Sequence, residues 1–426
     1  MKAIKKAIVI LFLIVPFFSL TAIALDYFEV SKPSIKKAII YVSADASSTL
    51  NQQFVSQLKD MLEASLLFKN ADSKSNSDYS ITLGSKVESK DLLVTIQGEK
   101  QNTYKAKFFG IRFISTDEEY VGRKTAQMAN RIIQEFFGIK GSIGSTLTWS
   151  VTEGSRKVIY KEAFAIDGTK KQVTYNFYSN YGASWNPEQD FIIYTSHTEF
   201  GTVINLQQLE PLVFNSIEVF KHSGQASSPS WAPDGSIYMT LHVADQNSDI
   251  FQFKFDRSLK SDTPASFTKV RQLTHNPSIE TEPAISPDSE KLAYVSDQTS
   301  EPQIYLMDLK TKKATRITHE GGYNVSPAWS PNGKYLAYRS IRAGISSIYR
   351  IELADNSEAR LTSDTIDAEE PTWSPDGSLI VFAGKTDKKA ASKIFYMLAS
   401  GGEFKRMTDS GPDVEESSPT WGPALR

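Results

Sequence analysis

The chain has 426 residues, 40% of them apolar, and a formal net charge of −2. It can bury large cores and is long enough for more than one domain. It has no cysteine, which excludes disulfides and thiolate metal sites, and its slightly acidic balance argues against nucleic-acid binding.

The chain opens on Lys2, Lys5 and Lys6, followed by the apolar run 7–18 and then Ala22-Ile23-Ala24. A basic start, an apolar stretch short for a membrane span and a small-x-small site together make a secretory signal. Residues 1–24 are expected to be removed, with an uncleaved anchor as the alternative. Removal takes the net charge from −2 to −5 and leaves a chain expected not to span a membrane. Residues 25–35 follow as an N-terminal arm, with Asp26, Tyr27, Phe28, Glu29 and Val30 mixing aromatic and charged groups ahead of Pro33. An edge strand of the first domain is the other reading of this stretch.

Residues 36–141 read as an α+β domain. Ala38 to Val42 is a buried-strand run. Thr49 and Gln52 fit a capping box, and Leu50, Phe54, Leu58, Met61 and Leu62 keep helical spacing behind it. Residues 69–78 are polar and read as a loop. Strands are expected over 79–83, 92–97 and 103–109. Thr116 and Glu119 fit a second capping box, the face Val121, Thr125, Met128, Ile132, Ile133 and Phe136 marks a second helix, and Gly138 is placed to stop it.

From residue 142 to 426 a repeat governs. Pro371-Thr372-Trp373-Ser374-Pro375-Asp376-Gly377 precedes an apolar run, and related segments centre on Trp185, Trp231, Ile285, Trp329 and Trp421. These third positions are spaced 46, 54, 44, 44 and 48 residues apart, a period that signals a blade array. Two copies depart from the rest: one has Ile285 in place of Trp, and the Trp185 copy lacks Asp-Gly. Ser-Pro-Asp-Gly is turn chemistry between two strands. A third strand follows, as in Gln303 to Leu309, and a fourth ends in a basic-apolar-Thr pattern such as Arg316-Ile317-Thr318. Four short antiparallel strands make one propeller blade. The segment before Trp185 supplies only the outer strands of a blade, and the copy at Trp421 stops after an inner strand. Joining the two predicts an all-β six-bladed propeller with one composite closing blade.

No nucleophile elbow and no phosphate-binding glycine loop are present, and the five histidines are widely spaced; no cofactor or metal is expected. The repeated tryptophans read as blade packing. The positions just before each inner strand read as loops around one channel mouth. They include Gln225, Ser228, Thr281, Glu282, Ser326, Glu369, Glu370 and Glu416, a polar and partly acidic rim able to steer a basic partner. Exchanging Glu282 and Glu370 for lysine is expected to weaken that partner's binding and leave the fold intact.

The signal, the α+β segment ending in Gly138-Ile139-Lys140-Gly141, the repeated Pro-x-Trp-Ser-Pro-Asp-Gly motifs, Ile304-Tyr305-Leu306-Met307-Asp308-Leu309 and the short end at Trp421-Gly422-Pro423 together resemble the TolB family of the Tol-Pal envelope system. The resemblance covers most of the chain. It implies a non-catalytic periplasmic adaptor whose propeller face binds the outer-membrane lipoprotein Pal and whose arm engages inner-membrane TolA. It also implies a role in outer-membrane invagination at cell division and in envelope integrity, with other outer-membrane proteins as further partners. The alternative is a secreted propeller enzyme or sugar-binding module with its site in the channel.

Overall fold

The structure, a computed structural model, describes residues 37–44, 49–85, 91–98, 107–112, 118–209, 212, 216–220, 225–242, 247–256 and 266–422. The expected signal and the arm carrying Asp26, Tyr27, Phe28, Glu29 and Val30 lie outside these residues, as does Thr116.

A five-stranded sheet comes first, in the spatial order Phe68–Asn70, Ala38–Ala44, Tyr79–Ser85, Asp91–Gly98, Lys107–Arg112. The first two pairings are parallel and the last two antiparallel. Two helices, α1 (Thr49–Ala64) and α2 (Glu118–Phe137), pack with it. Part of the expected loop at 69–78 is instead an edge strand, because Phe68 is buried edge-on between Phe136 and Phe137, with ring centroids 5.3 Å away in each case. That packing aligns Phe68 with Ala38 in the parallel ladder.

Helix α2 stops where the sequence places a glycine: Gly138 adopts φ 75° and its N–H still reaches the Gln134 carbonyl at 2.9 Å. The connection onward is pinned by Asn130. Its Nδ2 donates to the Ile143 carbonyl at 2.9 Å, and its Oδ1 accepts the Ile143 N–H at 3.0 Å. Gly141 passes so close that a Cβ there would lie 2.4 Å from Asn130 Oδ1. Asn130→Ala is expected to destabilise the protein by about 1–3 kcal/mol, since it strands both polar groups of buried Ile143. Urea unfolding measures this directly.

Six four-stranded antiparallel sheets then form a ring. Blades 1 to 5 are continuous segments, 179–220, 225–272, 280–316, 323–360 and 367–406. Blade 6 joins Glu416–Trp421 to Thr146–Glu153, Arg156–Ala163 and Lys171–Gln172, the composite blade expected from the repeat. The innermost strands are Ser179–Trp185, Gln225–Trp231, Glu280–Ile285, Tyr323–Trp329, Asp367–Trp373 and Glu416–Trp421. Each neighbours the next and the last neighbours the first.

Local hydrogen bonding explains the repeat. In blade 5, Ser374 Oγ donates to Asp376 Oδ1 at 2.6 Å and accepts the Leu379 N–H at 2.9 Å, while Asp376 takes the Ser378 N–H at 3.1 Å. Blade 4 repeats this with Ser330, Asn332 and Tyr335. The copy without Asp-Gly uses Asn186, whose Oδ1 accepts the Phe191 N–H at 2.8 Å and whose Nδ2 donates to Asp190 at 2.7 Å. In blades 2 to 4 the Thr that follows the fourth strand accepts a third-strand N–H: Ile250 to Thr274, Ile304 to Thr318 and Ile348 to Thr362. The tryptophans do pack blades. The indole N–H groups of Trp329 and Trp373 donate to the Ala284 and Ala328 carbonyls of the preceding blade, at 3.0 and 3.1 Å.

Strand alternation gives the ring two faces. Turns after the first and third strands lie on one, and the blade-to-blade connections and second-to-third turns on the other. In the contacts described, the N-terminal sheet and helices meet turns of the first kind and the fourth strands beside them. Lys405 pairs with Glu63 and Lys37 with Glu403, both at 3.6 Å, Ser142 Oγ lies 3.4 Å from the Asp376 N–H, and Gly122 packs on Ile166. The apolar core runs through this contact, from Ile132 and Ile133 to Phe164, Tyr396 and Trp421. Among the described residues, none of the N-terminal sheet or helices meets the opposite face.

Candidate functional site

The open face and the channel behind it carry the residues singled out in the sequence, but not as a ring of loops. All eight lie within inner strands. Each inner strand slips register against its neighbour at one place, and in five of the six blades the slip surrounds the residue before the motif's proline. That residue takes a left-handed conformation: Ser228, Glu282, Ser326, Glu370 and Ser418 have φ between 50° and 56°, and Gly182, φ 62°, stands at the corresponding place in blade 1. These are β-bulges, which turn one backbone N–H per blade out of the ladder.

Three of the freed N–H groups have acceptors on the preceding blade. Glu282 Oε2 accepts the Ser326 N–H at 2.5 Å. Glu370 Oε2 accepts the Ser418 N–H at 2.5 Å, and its Oε1 accepts the Ser418 hydroxyl at 3.1 Å. Thr195 Oγ1 accepts the Ser228 N–H at 3.2 Å. Glu282 and Glu370 are therefore half-buried stitches between blades. Burial pushes both carboxyls above the usual carboxylate range; Glu370 adds to this at Glu282, as Glu369 does at Glu370, and the bulge N–H groups oppose it.

The expectation of a solvated acidic rim needs correcting in two further places. Glu416 is fully buried, accepting the Trp149 indole N–H at 3.2 Å and the Thr408 hydroxyl. Glu369 is half-buried and paired with Arg339 at 3.3 Å. Gln225 is exposed at the start of its strand, against Gly201, and Thr281 is half-buried. The structure thus leaves Gln225 and Thr281 on the open face, turns Glu282, Ser326, Glu370 and Ser228 into the channel wall, and removes Glu416 from the surface.

What the open face displays instead is aromatic. Phe177 is 91% exposed and Phe200 90% exposed, with Tyr175, Tyr178, Tyr323 and Ile279 also open to solvent. Phe177 lies in the connection entering blade 1, under the Arg156 guanidinium at 6.0 Å, and Phe200 in the next turn of the same blade. Tyr323 lies 5.6 Å from the Arg339 guanidinium. Large side chains this exposed, gathered on one face, mark an interaction surface. Tyr181, further along the inner strand of blade 1, is half-buried. For Tyr175, Phe177 and Tyr178 the sequence signal is Tyr175-Asn176-Phe177-Tyr178, aromatics packed into a turn where small polar residues are the norm.

The other mouth opens into a cavity of about 410 Å³ lined by Trp185, Trp329, Trp373 and Trp421 with Pro187, Pro331 and Pro375. Among the described residues no three His, Asp or Glu side chains are grouped to hold a metal ion.

A family model described as the TolB beta propeller domain matches residues 265–425. The crystal structure of TolB from Acinetobacter baumannii is similar over 93% of this chain and 99% of that one, with TM-score 0.75 and 19% identity. The chain is thus similar to TolB proteins, in sequence over this propeller segment and in fold over most of its length. The TolB homolog of Chlorobium luteolum is 27% identical over 180 residues, 42% of this chain and 38% of that protein. The Tol-Pal system protein TolB of Bordetella pertussis is 26% identical over 202 residues, 47% of this chain and 43% of that one. The chain thus matches about two-fifths of the length of these curated relatives. Kuenenia stuttgartiensis hydrazine synthase shares the fold alone, at 10% identity and TM-score 0.53. No helix among the described residues is long and apolar enough to cross a membrane.

Proposed function

We propose that this TolB-like protein is a non-catalytic periplasmic adaptor of the Tol-Pal system. Its open propeller face binds the lipoprotein Pal, and its N-terminal arm, residues 25–35, engages TolA. The two contacts link outer and inner membranes and support outer-membrane invagination at division. The observation that carries the reading is the face itself: exposed aromatics on the side of the ring remote from the N-terminal sheet, in a chain similar in fold to TolB over 93% of its length. Two-ended binding suits this layout, since a partner on the open face leaves the N-terminal side free.

The test is calorimetric titration of the mature protein with the soluble domain of Pal from the same organism. Saturable binding is expected. Phe177→Ala and Phe200→Ala should each weaken it by about 1–3 kcal/mol, the range for a central aromatic anchor, while leaving the unfolding midpoint within about 0.5 kcal/mol of wild type. Binding unaffected by both changes would remove the aromatic face from the interface; no binding at all would remove Pal as the partner.

A further inference from the structure

In blades 2 to 5 the Thr after the fourth strand, Thr274, Thr318, Thr362 or Thr408, sits at the seam with the next blade. Beside it lie a side chain from the start of the third strand and one from the next blade's inner strand. At the seam between blades 3 and 4 these are Gln303 and Asn324, and Asn324 Nδ2 donates to Gln303 Oε1 at 2.8 Å. At the next seam they are Ser347 and Ala368, with one carboxyl-free polar group between them. At the seam between blades 5 and 6 they are Lys393 and Glu416, both buried, a cation with an acid. None of these pairs sets one acid against another.

The seam between blades 2 and 3 is different. Its pair is Asp249 and Glu280, two acids on adjacent blades, 6% and 0% exposed. Asp249 accepts from the Thr274 hydroxyl and from Gln272 Nε2, both at 2.9 Å. Glu280 Oε1 accepts from the Ser296 hydroxyl at 3.2 Å, while Glu280 Oε2 is buried with no donor. The two side chains hold the places that Gln303 and Asn324 hold at the next seam, where the side chains bond at 2.8 Å, and so face each other between the packed strands Ser248–Asp256 and Glu280–Ile285. The other titratable groups facing them are His275, beside Asp249, and Tyr294, beside Glu280; Asn276 completes the shell. Two facing carboxylates in such a site cannot both ionise cheaply, and a proton on one supplies the missing donor.

We propose that Asp249 and Glu280 form a proton-binding site, sharing one proton that clamps the inner strand of blade 3 to blade 2, and that the seam loosens when the proton leaves. Burial pushes both carboxyls up from their ordinary values. A carboxyl whose folded pKa is raised stabilises the fold below its unfolded pKa, and that contribution is lost as pH rises through the folded value. The clamp is therefore tight in acid and slack above the usual carboxylate range. Its strand carries Thr281 and Glu282 toward the candidate face, so the proton state bears on that face's geometry whatever partner it takes.

The experiment is hydrogen exchange of residues 274–282, with thermal unfolding, from pH 5 to pH 8 in the presence and absence of EDTA. In the wild-type protein, protection of this segment, corrected for intrinsic rates, should fall on the order of tenfold across the range. Glu280→Gln, whose amide can donate as Asn324 does, should flatten the dependence and raise the unfolding midpoint at pH 8. Asp249→Asn serves equally if Glu280→Gln does not fold. His275→Gln should keep the wild-type slope. The proposal is overturned if the slope persists in the amide variants, if His275→Gln abolishes it, or if EDTA reproduces the loss, which would make the bound species a metal ion.

Discussion

Glu370→Ala is expected to cost the propeller about 3 kcal/mol in urea unfolding, and Glu370→Gln less than about 1 kcal/mol. The carboxyl of Glu370 holds two groups of Ser418, the N–H at 2.5 Å and the hydroxyl at 3.1 Å. Hydrogen bonds to a charged acceptor contribute about 1.5–3 kcal/mol each, and a half-buried bulge N–H left alone is costly. Ser418 belongs to the strand that closes the ring, so the loss falls on the contact between blades 5 and 6. Glutamine keeps an acceptor for the N–H and removes a charge that burial and the neighbouring Glu369 already disfavour. The pH dependence follows in sign. With the folded pKa raised, the wild-type protein loses stability as pH rises through that value, whereas the glutamine variant does not. Glu370→Gln should therefore gain on wild type between pH 5 and pH 8. Equal losses for Ala and Gln would mean that the acceptor is not what holds Ser418. The same geometry at Glu282 and Ser326 changes how lysine exchanges at these positions should be read. They remove a structural acceptor, so weakened partner binding in such variants would report a damaged channel wall, not a lost contact.

The propeller was legible because its chemistry is local. Ser374 and Asp376 satisfy groups within five residues of themselves, and Thr318 answers a strand fourteen residues away, so the motif reads as a turn and a strand end without knowledge of the neighbours. Composite closure was legible for a related reason: a missing inner strand at one end matched a surplus one at the other. The bulge residues were not legible in this way. A proline cannot donate to a ladder, so the residues before Pro283 and Pro371 read as loops. In the ring the ladder simply resumes past a bulge, and the acceptors for the Ser228, Ser326 and Ser418 N–H groups come from a different blade. Glu416 failed for the same reason, because its partner Trp149 lies on the far segment of the chain that completes blade 6. Phe177 and Phe200 were passed over because exposure depends on what does not pack against a residue, and no local pattern encodes that.

Trp421→Ala should be the most damaging single change to the ring, at about 3–5 kcal/mol, the range for truncating a buried aromatic. Trp421 is 7% exposed, donates its indole N–H to Ser145 Oγ at 2.6 Å and packs edge-on against Phe164, centroids 5.1 Å apart. Both partners belong to the segment just after the N-terminal sheet, so one side chain fastens the last strand to the start of the propeller. The neighbouring backbone is equally tight. The Gly422 N–H donates to the Thr146 carbonyl at 2.7 Å, and a Cβ at Gly422 would stand 2.7 Å from the Trp185 ring and 2.9 Å from that same carbonyl. Gly422→Ala should add about 1–3 kcal/mol of strain for this reason. The comparison that isolates closure is Trp329→Ala. Trp329 holds the same motif position in a continuous blade, and its indole reaches only the adjacent inner strand. If the ring is fastened at its composite blade, Trp421→Ala will lower the unfolding midpoint well below that of Trp329→Ala. It will also promote association through the uncovered edge of Thr146–Glu153, seen as concentration-dependent light scattering. Equal midpoints for the two variants would show that Trp421 contributes only the packing common to every blade, and that the backbone pairing of Glu416–Trp421 with Thr146–Glu153 closes the ring by itself.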